Sequence, residues 1–202
     1  DKTAVHLCKE IQNCVCAFVQ SDEISLILKD NTLTCSPYDG RLCKLQSVIP
    51  SMATAFFNKE IIKRNLIAGM SIEDITNMPD YCFDCKVWSV PSANDAMAWI
   101  LYRQIDCIRN SKQQFAQTYI PHKELMGKDT DEQVAYCYEK TGHDWSGVGD
   151  NKKYGRLFHR EDVLKHNEDG DNYIRREWIA QSEQLTNDTT RENFVDYLMF
   201  SN

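Results

Sequence analysis

Residues 20–29 read QSDEISLILK, and their reading decides the fold. Asp22 and Glu23 stand between two apolar runs, 14–19 and 24–28. The runs are short and rich in Val, Ile, Leu and Phe, which predicts strands over 14–20 and 23–29. Joined by a turn, they form a hairpin whose bend carries two carboxylates. Carboxylates at a strand junction are one way to hold Mg²⁺, a hard ion that takes oxygen ligands and shares them with phosphates. A solvated acidic turn is the other reading, because turns favour Asp.

Working outward, the chain predicts a helix over 3–12 before the hairpin and a turn-rich loop over 30–40 after it. Leu42, Leu45, Val48, Ile49, Met52, Phe56 and Ile61 recur at helical spacing over 41–64, with Pro50 expected to kink or divide that helix. Residues 69–80 read as irregular and 82–90 as a strand. A long helix follows over 93–118, capped by Ser92 or Asn94. The order α-β-β-α-β-α is that of a ferredoxin-like β-α-β-β-α-β unit without its first strand, which would pair beside Asp22. The fold class is α+β. A start inside a helix also implies sequence upstream of the given chain.

Past residue 120 the pattern changes, giving a first domain of 1–120 and a C-terminal helix and hairpin extension of 121–202. Thr130-Asp131-Glu132-Gln133 reads as a capping box opening a helix that ends at Gly142. Strands are expected over 155–159 and 173–179 around a polar turn, and an amphipathic helix over 194–200.

With 202 residues, 42% hydrophobic and 26% charged, the chain can bury a sizeable core. No apolar run approaches the ~20 residues needed to span a bilayer. Nine scattered cysteines point to a reducing, intracellular compartment, read as cytoplasmic with mitochondria open. Cys82 and Cys85 form a lone CxxC without the second pair or nearby histidines that zinc needs. A net charge of −7 argues against indiscriminate nucleic-acid binding, so an RNA partner would need local basic clusters. Lys59 with Lys63 and Arg64, Lys152 with Lys153, Arg156 and Arg160, and Arg175 with Arg176 qualify, each equally readable as a solvated face.

Four stretches in this order resemble the tRNA-His guanylyltransferase superfamily, enzymes that add nucleotides in the 3′-to-5′ direction. QSDEISLIL is similar to that family's metal-carboxylate strand turn, and residues 40–57 (GRLCKLQSVIPSMATAFF) to its nucleotide-contacting helix. FDCKV at 83–87 resembles the family strand F-D-G/A-R-V, and RQIDCIRNS at 103–111 the helix that follows it. The guanylyltransferases proper carry H-I-N-N-L-Y-N after an Asp-Cys pair. Here Asp106-Cys107 is followed by Ile108-Arg109-Asn110-Ser111. That resembles the like-protein branch, which repairs 5′-truncated tRNAs against a template. The family's D-G-R/K-x-F strand end, bearing its first metal carboxylate, lies upstream of the first helix. Asp39-Gly40-Arg41 imitates that motif in the wrong place and reads as a loop and helix start.

The resemblance implies a polymerase palm and transfer assisted by two Mg²⁺ ions, with ATP, GTP or other nucleoside triphosphates and tRNA as partners, no membrane, and a homotetramer. Asp22 and Glu23 would be catalytic metal ligands. Ser21, Lys44, Ser47, Arg103, Asn110, Lys153 and Arg156 would contact nucleotide, while Gln104 and Asp106 read as structural hydrogen-bonders. For Lys44 the competing reading is a solvated helix charge. A guanylyltransferase adding one G, a nucleotide cyclase, and a non-catalytic RNA-binding palm are the alternatives. The cyclase lacks a G-G-[DE]-[DE]-F hairpin.

Overall fold

The computed structural model describes residues 1–29, 36–167 and 171–185. Its elements are α1 (Lys2–Glu10), β1 (Cys14–Gln20), β2 (Glu23–Leu28), α2 (Leu42–Ile67), α3 (Ile72–Thr76), α4 (Ala93–Tyr119), α5 (His122–Leu125), α6 (Thr130–Thr141), α7 (Asp150–Lys153), β3 (Arg156–His166) and β4 (Asn172–Gln181), with short 3₁₀ turns at Pro37–Gly40 and Trp145–Gly147. The strands form one sheet in the order β2-β1-β3-β4, and the class is α+β. No helix among the described residues is long and apolar enough to cross a membrane. The helix expected over 194–200 lies outside the described residues.

By its contacts the chain forms two units, Asp1–Ala17 with Leu26–Val90, and Phe18–Ser25 with Pro91–Asn202. β1 and β2 contribute residues to both.

In the first unit, α1 buries Thr3, Ala4, Leu7 and Cys8, a single face at helical spacing. It packs on α2, where the His6 ring stacks on Phe56 at 4.0 Å and Lys2 pairs with Glu60 at 2.8 Å. Helix α2 runs undivided through Pro50, so of the two expected outcomes, a kink or a division, the division does not occur. Pro50 is itself buried there beside Ile49 and Ala53, and packing offsets the backbone bond that proline cannot make. The irregular stretch expected at 69–80 contains α3, capped by the Ser71 side chain accepting from the Asp74 amide.

The strand expected over 82–90 is not formed. Phe83, Cys85 and Val87 are half-buried and their neighbours exposed, so the segment keeps strand-like alternation. Its backbone is instead strapped to α2. The Phe83 amide donates to Thr54 Oγ1 at 2.9 Å, the Tyr81 amide to Asn58 Oδ1 at 3.1 Å, and Asn58 Nδ2 to the Tyr81 carbonyl at 2.7 Å. A ferredoxin-like unit supplies this strand's partner as its first strand, and no strand lies beside 81–90 among the described residues.

In the second unit, α4 buries Ala96, Met97, Ile100, Gln104 and Cys107, one stripe along its first half, after the Ser92 hydroxyl accepts from the Asp95 amide. Farther along, Ala116, Ile120, Leu125 and Cys137 form a small core uniting α4, α5 and α6. The capping box of α6 is shifted one residue from its expected position. Asp129 is the cap and Glu132 closes the box, because the Asp129 carboxylate accepts from both the Asp131 and Glu132 amides. Gly142 ends the helix at φ +73°.

The β3–β4 ribbon is twice as long on β3 as expected, pairing Leu157 with Gln181 through His166 with Asn172. Residues 160–166 lack an apolar face, which hid them from pattern reading. Cross-strand contacts hold them instead, with Arg160 over the Trp178 ring at 5.0 Å and Arg176 3.8 Å from Asp162. At the base of β3, Gly155 (φ +73°) sits where an added Cβ would come within 2.6 Å of Phe18 Cζ and 2.9 Å of the Val19 carbonyl. Gly155→Ala is therefore expected to cost at least about 2 kcal/mol from backbone strain and overpacking, read as a lower urea midpoint at unchanged m-value.

Candidate active site

β1 is buried along its whole length, and its last residue, Gln20, is only 5% exposed. The chain reverses immediately through Ser21 and Asp22, with Ser21 at φ +50°, and β2 begins at Glu23. The hairpin and its two carboxylates are as the sequence implies. Asp22 is exposed at the bend. Glu23 takes an ion pair with Arg103, whose side chain is 14% exposed.

Arg103 sits on α4 one turn before Asp106, and its Nη1 lies 3.5 Å from Asp106 Oδ2. Asp106 gathers three further donors. Gln20 Nε2 approaches at 3.3 Å, Asn110 Nδ2 at 3.2 Å and Arg109 Nη2 at 2.8 Å. Arg103 also lies over Trp99, 5.9 Å from its ring centre. One network thus joins Glu23, Arg103 and Asn110 through Asp106. Gln20 was not anticipated as part of it. A long amide closing an otherwise apolar run was the available signal, since a buried amide must find partners.

Gln104, on the neighbouring face of α4, is 3% exposed. It donates to the carbonyls of Tyr154 and Glu183, both at 3.0 Å, and accepts from the Leu185 amide at 2.7 Å. Its structural reading agrees with these contacts.

Lys153 and Arg156 are placed differently from free phosphate ligands. Lys153 is 8% exposed, lies 3.0 Å from Asp150 and donates to the Ser146 carbonyl at 3.2 Å, between the rings of Trp145 and Tyr154. Arg156 donates to the Asn151 carbonyl at 3.0 Å, and desolvation lowers its pKa from the ordinary arginine value. Burial raises the Cys107 thiol, with Arg156 and Arg103 pulling it down and Asp106 pushing it up.

Lys44 and Ser47 belong to the first unit, exposed on the opening turns of α2, where Ser47 Oγ donates to the Lys44 carbonyl at 3.2 Å. Ahead of them Tyr38, Asp39 and Gly40 all have positive φ, and Arg41 bonds back to the Tyr38 carbonyl and Asp39. The Asp39-Gly40-Arg41 segment is thus a loop and helix start, as expected.

Among the described residues no three His, Cys, Asp or Glu side chains converge on a metal position. The oxygen donors of Asp22 and Glu23 suit Mg²⁺ in kind but form only part of a coordination shell.

The site thus sets two carboxylates on a sheet hairpin beside an arginine-bearing helix. Residues 1–91 match the family of tRNAHis guanylyltransferase. Comparison with curated proteins gave no match. The fold is similar to a bacterial tRNA(His) guanylyltransferase (Thg1)-like protein in complex with ATP, at TM-score 0.78 and 24% identity over 97% of this chain and 76% of the other. The corresponding bacterial protein in complex with GTP matches at TM-score 0.67 and 23% identity, over 98% and 75%. tRNA(His) guanylyltransferase from Saccharomyces cerevisiae matches at TM-score 0.56 and 20% identity, over 79% and 74%. The likeness to the tRNAHis guanylyltransferase family thus covers residues 1–91, and the solved structures, each under 25% identical, show a likeness of fold. The family match ends before α4, so Arg103, Asp106 and Asn110 lie outside it.

Gln104→Leu keeps the side-chain volume but strands the Leu185 amide and two carbonyls. It should cost about 2–4 kcal/mol, seen as a lowered melting temperature.

Proposed function

We propose that the protein extends the 5′ end of truncated tRNA in the 3′-to-5′ direction against a template, using nucleoside triphosphates. The observation that carries this reading is the meeting of Glu23 on the carboxylate hairpin with Arg103 on α4. A nucleotidyl-transfer site needs acids for divalent metal and a cation for triphosphate in one place, and these two residues supply one of each.

Mg²⁺, when bound, would neutralise phosphate charge and stabilise the attacking and leaving oxygens. Asp22 and Glu23 would hold it, with positions left for substrate phosphates and a further acid. The arginine fork suits two phosphate oxygens at once. Arg103 would exchange Glu23 for an arriving phosphate, which would leave the Glu23 carboxylate able to hold metal together with Asp22. Asn110 and the Ser21 hydroxyl would add hydrogen bonds. Lys44 and Ser47, on the opening turns of α2 in the first unit, are proposed as nucleotide contacts on the family resemblance of residues 40–57. Lys153 and Arg156 would reach phosphate only by giving up the carbonyls that now hold them. Activation would transfer AMP from ATP to a 5′-monophosphate with loss of pyrophosphate, and the 3′-hydroxyl of the incoming nucleotide would displace AMP. Little covalent chemistry falls to side chains, so positioning and charge dominate.

Ile108-Arg109-Asn110-Ser111 in place of the histidine and asparagine signature supports repair over single-G addition. The family matched by residues 1–91 carries the guanylyltransferase description, which keeps addition of G to tRNA-His as the second reading. A homotetramer is part of the proposal, and a monomer in light scattering would remove it.

Incubating the protein with labelled ATP, Mg²⁺ and a 5′-monophosphorylated, 5′-truncated tRNA should give adenylylated and extended products. Extension only of tRNA-His lacking its extra G would select the second reading, and no product from either RNA would leave an RNA-binding protein without catalysis. Asp22→Ala should cut product formation by about 10³-fold or more with an unchanged melting temperature, and retained activity would refute the metal role.

A further inference from the structure

We infer that Asp106 is a positioning residue for nucleotide binding. Its carboxylate anchors Arg103 and Asn110 in a fixed orientation and ties both to the strand end that carries Asp22. The inference rests on the reading of Arg103 and Asn110 as nucleotide contacts.

The geometry points to holding rather than chemistry. A carboxylate has about four lone-pair positions. Asp106 has the donors Gln20, Arg103, Arg109 and Asn110 around it at 2.8–3.5 Å, and its side chain is only 19% exposed. Three of these donors crowd Oδ2 and Arg109 takes Oδ1, so the carboxylate is engaged on both oxygens. Arg103 meanwhile spans two acids, with Nη1 toward Asp106 and Nη2 on Glu23. A fork held by one nitrogen can trade the partner of the other without losing its place. Glu23, with 59% of its side chain exposed, is the partner open to exchange, and Asp106 is the one that stays.

Gln20 completes the tie. Only its amide nitrogen can meet a carboxylate, so the bond to Asp106 fixes which way the amide points. Its Oε1 is buried without a hydrogen-bond partner among the described residues, the arrangement expected if orientation is set by the Asp106 side alone. Gln20 stands two residues before Asp22 in the chain. Asp106 therefore sets the relation between the carboxylate turn and the arginine helix.

The sign of one substitution separates this role from simple electrostatics. Asp106 adds negative charge near a site that would receive a polyanion, so charge alone says that Asp106→Asn tightens ATP binding. Positioning says the opposite. The test is the Kd of a fluorescent ATP analogue with Mg²⁺ for the unaltered protein, Asp106→Asn, Arg103→Ala and the double variant, with melting temperatures alongside. Asp106→Asn should weaken binding about tenfold, the scale of one charge-assisted hydrogen bond. In the Arg103→Ala background, Asp106→Asn should weaken binding by clearly less than it does in the unaltered protein, the remainder being the loss of Asn110's orientation. Unchanged or tighter binding by Asp106→Asn, with Arg103→Ala still weak, overturns the role of Asp106. No effect of Arg103→Ala overturns the reading of Arg103 itself. Should Asp106→Asn fail to fold, Asp106→Glu keeps the charge but moves the oxygens by one methylene. Weakened binding by this variant supports positioning, and undiminished binding overturns it.

Discussion

The full burial of β1 is the constraint on which the rest depends. All seven residues, Cys14–Gln20, are buried, with β2 on one side and β3 on the other. An apolar strand can end in burial at no cost, but Gln20 cannot. Its amide has to find a partner away from water, and the Asp106 carboxylate on α4 is that partner. The same bond sets the turn that follows, so the acids of the hairpin and the cations of α4 are positioned by one buried amide. Gly155 adds a steric condition, since its missing side chain lets β3 lie directly against Phe18 and Val19.

The charges of the site are arranged as alternating pairs. Glu23, Arg103, Asp106 and Arg109 follow one another, acid to base, through a partly buried environment. A guanidinium with 14% exposure would be costly to leave without acids beside it, and its two acids differ in exposure. The exposed one can change partners when a ligand brings competing charge, while the shielded one cannot do so cheaply. On the proposed function, binding and positioning would be divided between these two carboxylates of the same network.

Much of the local structure was legible because it follows from short-range rules. The strands expected over 14–20 and 23–29 announced themselves by length and composition, α4 by its capping candidate Ser92, and the end of α6 by Gly142. The misreadings share a cause, competition from tertiary contacts. Residues 82–90 have strand-like alternation, yet a strand exists only with a neighbour, and the start of the segment is held to α2 instead, by Thr54 at Phe83 and Asn58 at Tyr81. Pro50 did not divide α2, where it is buried beside Ile49 and Ala53. The cap of α6 moved to Asp129 because its carboxylate reaches two amides. The distal ribbon was invisible because ion pairs and a cation–π contact carried it in place of an apolar face.

The sequence by itself determined the class of fold, the hairpin that presents Asp22 and Glu23, and the resemblance of successive stretches to one superfamily, since each depends on residue order and near-neighbour chemistry. Only the tertiary structure decided which charges meet. Glu23 and Arg103 are eighty positions apart, and nothing local pairs them. Lys153 and Arg103 look alike in a list of basic residues, yet Lys153 is committed to Asp150 and the Ser146 carbonyl, whereas Arg103 bridges two acids at the carboxylate turn. Burial separates them, because long-range packing decides which ionic groups lose water and therefore which must be paired.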